Sequence, residues 1–483
     1  MELRGVGLVL AALLAPAMAA GEGAPRYGGT IRATVLGAVS IPAPLTIDNH
    51  ADATVSQLIF DSLYRIDDRG HARPHLAADM PVINGKVVRI RVRKGVRFHD
   101  GTTFTARAAA SSLRGLMRSP KWGWILGAVK TIDARGQWLV LRLRRAEPEL
   151  VRILAAPQAG ISRSSRAATW RTQGLVGTGP FKLQPSASSL RLLAWDEHFA
   201  GRPYIDSLEL SWHAKPKGEA KAYELGRSHT SLRGPVAFAG HRPKWAARSV
   251  ATPTSVLVYL GTGRNVLAGD FGHAISLALD RRAFSGVGTG ERVWPSGGPV
   301  SPNLGGASGP IAARLDRAKR MLERARSGNP GLAARIRRPL EIRVDRTRPD
   351  DREIADRVLS TLYRLGIPSR VKVVSGSELR RGDLYVDHLV TPVASPGWQA
   401  AAAVAVHDGA WLRAQLRRRA PRTAAMEARL RKSRHLIPLF HRAVRMHVRS
   451  NLHGFAIRAN GLISFEGVFE HGKPRRPRAR RRR

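Results

Sequence analysis

The chain has 483 residues, 43% hydrophobic and 24% charged, an ordinary globular composition with length for roughly three domains at about 150 residues each. Its 80 Lys+Arg against 36 Asp+Glu leave a net charge of +44, and the tail Lys473–Arg483 holds only eight of those charges, so the excess runs through the whole chain. The absence of cysteine excludes disulfides, thiolate catalysis and cysteine-ligated metal or iron–sulfur centres; the composition excludes a collagen-like repeat, a mostly disordered chain and a multi-span membrane protein.

The first residues read as an export signal. Arg4 supplies a positive end, Gly5–Ala15 an apolar run and Ala17-Met18-Ala19 an A-x-A cleavage site, so residues 1–19 are assigned as a signal peptide. The run is shorter than the about 20 apolar residues that span a bilayer. No cysteine follows it to carry a lipid, and the alanine-rich Gln399–Val406 is far too short to span. A soluble, exported, periplasmic protein that is not a lipoprotein is expected.

Further along, Asp48, Asp52, Asp61, Asp67 and Asp68 cluster in sequence, and turn and capping roles are expected for them. Val87–Arg93 alternates, with Val88, Ile90 and Val92 on one face and Arg89, Arg91 and Arg93 on the other, which predicts a half-buried strand. Leu139–Leu143 repeats the pattern, and Lys94-Gly95 and Asp100-Gly101 supply turns. Gly261-Thr262-Gly263 and Gly286–Gly290 are glycine-rich without a phosphate-loop lysine and are expected to be loops. Ala313–Ala325 carries a helical stripe of Ala318, Met321, Leu322 and Ala325. The clearest unit is a strand at Leu340–Val344, a helix with the stripe Ile354, Ala355, Val358, Leu359, Leu362 and Leu365 stopped by Gly366, and a second strand at Val371 and Val373. Strand, helix, strand at this length predicts a parallel pair with a right-handed crossover, hence an α/β class.

Chemistry-bearing motifs are scarce. There is no G-x-x-x-x-G-K-[ST] loop and no G-x-S-x-G turn. His435, His441, His447 and His453 recur every six residues, a spacing of roughly 20 Å along a strand, so neighbours do not share one ion. No catalytic residue, metal site or cofactor is expected, and the chain is not read as an enzyme.

Several segments in order carry a family resemblance. They are Tyr27-Gly28-Gly29-Thr30-Ile31-Arg32, Leu58-Ile59-Phe60-Asp61-Ser62-Leu63-Tyr64, Pro74 with His75-Leu76-Ala77-Ala78-Asp79, and the run Arg91–Ala106 (RVRKGVRFHDGTTFTA). Gly177-Thr178-Gly179-Pro180-Phe181, Gly201-Arg202-Pro203-Tyr204-Ile205-Asp206, His273–Arg281 and Leu315-Asp316-Arg317-Ala318-Lys319 follow. Together they resemble family 5 of the extracytoplasmic solute-binding proteins of ABC importers, which bind peptides, nickel complexes and related solutes.

The resemblance implies a bilobed periplasmic-binding-protein fold with mixed and parallel sheets, in its three-domain variant. Domain I would take 27–50, 177–258 and 445–470, domain II 51–176, and domain III, the second lobe, 259–444; 471–483 would be a basic disordered tail. It implies ligand contacts at Leu45, Thr46, Thr178 and Trp398 and a hinge at Gly177 and Gly179. It also implies delivery of a small peptide or related solute to an ABC permease by hinge closure of a monomer. Peptide-binding relatives hold the ligand's amino terminus with an aspartate after a tryptophan in a late loop; here no acid follows Trp398 until Asp408, so that device is not expected. The arginine excess reads as composition on solvated faces. The functional alternative is a degenerate member that binds a polyanion or anionic surface, with the tail as the contact for anionic membrane or polymer.

Overall fold

The computed structural model describes residues 27–35, 39–40, 42–67, 69–163, 174–184, 186, 190–213, 215–232, 237–238, 241–251, 256–285, 292–306, 312–348, 350–391, 393, 395–443, 445–458 and 461–471. The expected signal peptide, Asp68, the Gly286–Gly290 loop and the basic tail beyond residue 471 lie outside the described residues.

Three sheets frame the molecule. In the first, Thr30–Thr34 runs parallel to Ser207–Ser211, which continues antiparallel into Leu190–Ala194 and Phe181–Gln184. Ile31, Ala33, Phe181, Leu192 and Leu208 bury their side chains against Val55, Leu58 and Ile59 of the helix His50–Ile59. That helix starts where the Asn49 side chain accepts from Asp52 N, satisfying one of the orphan donors of its first turn.

The second sheet orders Val82–Asn84, Val87–Arg91, Trp138–Leu143 and Val129–Arg135, all antiparallel. Val88 and Ile90 are buried while Arg89 and Arg91 are exposed, as the alternation requires. The strand ends at Arg91, two residues earlier than expected, and Val92 makes an isolated bridge to Ala77. The helix Ala106–Arg118, capped by Thr105, covers the sheet with Ala109, Ala110, Leu113 and Leu116.

The third sheet has six strands in the order Arg292–Pro295, Leu436–Ala443, Val256–Thr262, Leu384–Val390, Leu340–Asp345, Ser369–Val374. The expected strand–helix–strand unit is present: Leu340–Asp345, the helix Asp350–Arg364, then Ser369–Val374 parallel to the first strand with Leu340 opposite Ser369. Ser369–Val374 is the edge strand, which leaves Val373 52% exposed. The helix expected from 313 runs Leu315–Gly328. Gly261 and Thr262 belong to the central strand and not to a loop; a side chain at 261 would overlap the Tyr385 ring, so glycine there answers to packing.

The alanine-rich run proved structural in an unexpected way. It lies in the first half of a 23-residue helix, Pro396–Arg418, with an irregular residue at Asp408. Trp398 to Val404 are buried without interruption, the mark of a helix enclosed on every side. Trp398 stacks on Trp124 of the second-sheet unit with ring centroids 5.9 Å apart. The same apolar cluster contains Leu257, Tyr259, Tyr385 and Leu436 of the third sheet. The helix is thus the filling of a seam that joins the second-sheet unit to the third-sheet lobe. Gly127 permits the closest approach, because an added Cβ would lie 2.7 Å from Leu416 Cβ.

Candidate functional site

Beside the seam the two lobes leave an open groove of about 350 Å³. One wall comes from the start of the His50–Ile59 helix with Asp48, Asn49 and His50, from Lys121, and from Trp212 after the strand Ser207–Ser211. The other comes from the third-sheet lobe, with Asp345, Arg348, Asp350, Arg380, Asp387, His388 and Arg442. Leu340–Asp345 and Leu384–Val390 are parallel neighbours and both bring their carboxyl ends to the groove, the usual location of a ligand crevice in an open α/β sheet.

The groove's charges balance. Four carboxylates line it (Asp48, Asp345, Asp350, Asp387), and so do four cations (Lys121, Arg348, Arg380, Arg442). Asp387 is the hub. Its Oδ1 accepts from Arg348 Nη1 at 3.0 Å, and its Oδ2 accepts from Arg380 Nη2 and Tyr259 Oη, each at 3.1 Å. Burial alone would raise its pKa, but Arg348 and Arg380 outweigh that and hold it down at about 2. Asp351 pairs with His388 at 2.8 Å and Arg348 at 3.3 Å. Burial lowers the His388 pKa more than Asp351 raises it. Across the groove Lys121 Nζ meets Asp48 Oδ1 at 2.6 Å.

The expected site residues fall elsewhere. Trp398 is not in a loop but in the enclosed helix, 1% exposed; the Trp124 ring stacks against it. Asp408, the first acid after it, is the irregular position of that helix and pairs with Arg429 at 2.9 Å. Thr178 is buried and donates to Asp61 Oδ2 at 3.0 Å. Leu45 is 38% exposed beside Gly115, and Thr46 donates to Ala43 O at 3.0 Å. None of the four lines the groove, although Leu45 and Thr46 lie just before Asp48. Gly177 and Gly179 pack on the end of the His50–Ile59 helix: a Cβ at 177 would overlap the Ile59 carbonyl, and one at 179 would stand 2.6 Å from Ile59 C.

The fold gives the recognisable motifs structural tasks. The Arg91–Ala106 run folds back so that His99 N donates to Gly177 O at 2.9 Å and His99 Nε2 meets Gly179 O at 2.9 Å. Among the early aspartates, Asp52 accepts from Ser40 and Asp67 closes a turn to Arg69 and His71. Asp48 pairs with Lys121. Asp61 departs from the turn-and-cap expectation, because it sits buried between His75 and His198, with His75 Nε2 2.7 Å from Oδ1 and His198 Nε2 3.5 Å from Oδ2. Burial pushes its pKa up, yet the two imidazoles pull it well below the usual carboxylate range. The six-spaced histidines disperse: His435 meets Thr262, His447 meets Ser249 and His453 stacks on Phe469, while His441 stands opposite Leu257 in the third sheet.

The groove residues Asp345, Arg348 and Asp387 went unread in the sequence. Their one signal was position, at or just past the ends of strands in the βαβ region.

Comparison with known proteins sets this geometry in context. The family model for bacterial extracellular solute-binding proteins, family 5 middle, matches residues 71–405. The uncharacterized protein YhjP of Bacillus subtilis (strain 168) is 28% identical over 197 residues, 40% of this chain and 33% of that protein. The match therefore spans about a third of that relative's length. Among solved structures, NikA from Staphylococcus aureus in complex with Ni(L-His)2 superposes with a TM-score of 0.75 at 16% identity, covering 91% of this chain and all 100% of that one. AppA from Bacillus subtilis in complex with a nonapeptide gives 0.74 at 16% identity, covering 93% and 100%. At these identities the two structures speak for the fold alone. No helix among the described residues is long and apolar enough to cross a membrane.

Proposed function

The chain belongs to the bacterial extracellular solute-binding proteins of family 5, and we propose that it is a periplasmic binding protein that carries a small peptide-like zwitterion to an ABC permease. The observation that supports this reading is the balance of four carboxylates and four cations in a groove walled by two lobes, in a chain of net charge +44. A groove built for a polyanion would carry the chain's excess of arginine; this one matches a ligand bearing both signs. Asp387 and Asp345 face the ammonium end of such a ligand, and Arg380, more than half exposed, its carboxylate. AppA, with its nonapeptide, provides a precedent for a peptide in this fold.

Transport by closure requires the ligand to touch both walls and so to favour the closed form. Lys121 and Trp212 on one side and Arg348 and Arg380 on the other supply that bridge. The domain division, with 259–444 as the moving lobe, the hinge near Gly177 and Gly179, and a monomeric binding protein without catalysis complete the proposal.

Native mass spectrometry of protein purified from its own host identifies a retained solute, and calorimetry then ranks short peptides against dicarboxylates of similar size. Peptides are expected to bind more tightly, and Asp387→Asn to weaken them at least tenfold. Preference for the dicarboxylates, or heparin affinity that falls steeply with salt after deletion of Lys473–Arg483, would support the polyanion alternative instead.

A further inference from the structure

Asp61, His75 and His198 come from three separate stretches of the chain and meet away from the groove. One ligand atom from each lies within 4.8 Å of the others, and all three residues are buried. From this geometry we propose that they form a binding site for a single divalent transition metal of the zinc class, ligated by Asp61 Oδ2, His75 Nε2 and His198 Nε2.

The donor set is chemically apt, because two imidazoles and one carboxylate are common partners of zinc, nickel and cobalt. His198 carries the independent observation. Its side chain is 3% exposed, and its Nε2 has no hydrogen-bond partner among the described residues. Its other nitrogen, Nδ1, is 3.1 Å from Gly201 O. A carbonyl oxygen only accepts, so Nδ1 holds a proton, and in the neutral ring Nε2 is the atom that presents a lone pair toward Asp61. This is the arrangement of a ligating histidine, whose distal N–H is fixed by a backbone carbonyl. Without a metal the protonated ring pairs with Asp61 at 3.5 Å, and a bound cation takes the place of that proton.

The separations also fit. Two donors on one tetrahedral ion, each about 2.1 Å from it, stand roughly 3.4 Å apart, against the observed 3.5 Å between His198 Nε2 and Asp61 Oδ2. His75 Nε2 lies 2.7 Å from the other carboxylate oxygen, Oδ1, a contact that must loosen for the imidazole to turn its lone pair to an ion on Oδ2. Thr178 donates to Asp61 Oδ2 at 3.0 Å and orients the carboxylate. A small cavity of about 30 Å³, lined in part by Asp61, Ser62 and His75, leaves room for about one water as a fourth ligand. Ligating imidazoles must be neutral, so binding releases protons and tightens as pH rises.

The test uses the full mature chain, stripped with a chelator and titrated with Zn²⁺ by calorimetry and with Co²⁺ by absorption. One site per chain is expected, with proton release and the intense visible bands of tetrahedral cobalt. His75→Ala and His198→Ala should each weaken binding at least a hundredfold, while His407→Ala, at another close histidine pair, should not. No binding by the wild type, or affinity unchanged in both His75→Ala and His198→Ala, overturns the proposal. If those variants fail to fold, the wild-type cobalt spectrum decides: weak octahedral bands overturn it, intense tetrahedral ones support it.

Discussion

The third-sheet lobe meets the rest of the chain in two places of opposite character. At the seam the contact is apolar: Trp398 and four consecutive alanines, Ala400–Ala403, pack between Trp124 and one face of the sheet, Leu257, Tyr259 and Tyr385. At the groove it is polar and open, with Asp387 tied to Arg348 and Arg380. The alternation of a single strand separates the environments, since Val258 and Leu260 turn to the lobe's own helices while Leu257 and Tyr259 face the seam. Tyr259 touches both, for its hydroxyl donates to Asp387. An apolar seam is favourable whenever it is shut and needs no ligand. A charged groove must shed water when it closes, and only a ligand that replaces those interactions makes closure favourable. The seam therefore sets the resting separation of the lobes, and the groove supplies the ligand-dependent part.

The comparison is broken most directly at Trp398. Trp398→Ala removes the stack on Trp124 and leaves a cavity, with an expected loss of about 3–5 kcal/mol in urea unfolding. X-ray scattering should show a larger radius of gyration in the absence of ligand. An unchanged radius would mean that the seam does not hold the lobes together.

Acid sharpens the same contrast. His407 lies on the seam helix, its Nε2 2.9 Å from Tyr385 Oη and its ring stacked on His435. Burial, then the neighbouring His435 and Arg380, push its pKa down to about 4. The folded pKa is below the unfolded value of about 6.5, so the unfolded chain takes the proton first. The contribution is complete above pH ~6.5 and is lost as pH falls toward 4, roughly 3 kcal/mol in all. Asp387, held down at about 2, keeps its charge across that window. Urea midpoints measured from pH 7 to 4 should fall for the wild type and fall less for His407→Gln, which cannot titrate there. Equal slopes would remove His407 from the account.

What the sequence made legible follows from how local each signal is. The unit Leu340–Val374 was readable because alternation, a helical stripe and Gly366 all lie within about 35 residues. The Arg91–Ala106 run was readable as a family signature, but its docking on the Gly177–Phe181 turn was not, since that contact joins positions about 80 residues apart. Trp398 misled because its place in a family pattern suggested a cleft loop. A helix buried on all sides has no apolar stripe, so the alanine run carried no period to reveal it. Asp61, His75 and His198 each lie in or beside a quoted motif, and only folding brings them together.

The smallest expected effect lies at the groove's rim. Lys121 and Asp48 are 42% and 68% exposed at the side chain, so their pair is screened by water and salt, and Lys121→Ala should cost less than about 1 kcal/mol of stability. Its consequence for binding has a definite sign. Losing Lys121 leaves Asp48 unbalanced and shifts the groove from four cations against four carboxylates to a negative excess. A lysine-containing peptide should then bind severalfold more tightly and a glutamate-containing one more weakly, with the difference shrinking as salt shortens the Debye length. Calorimetry with the two peptides at low and high salt checks this. An equal change for both peptides would place Lys121 outside the ligand's field and leave the seam side of the molecule to explain any loss.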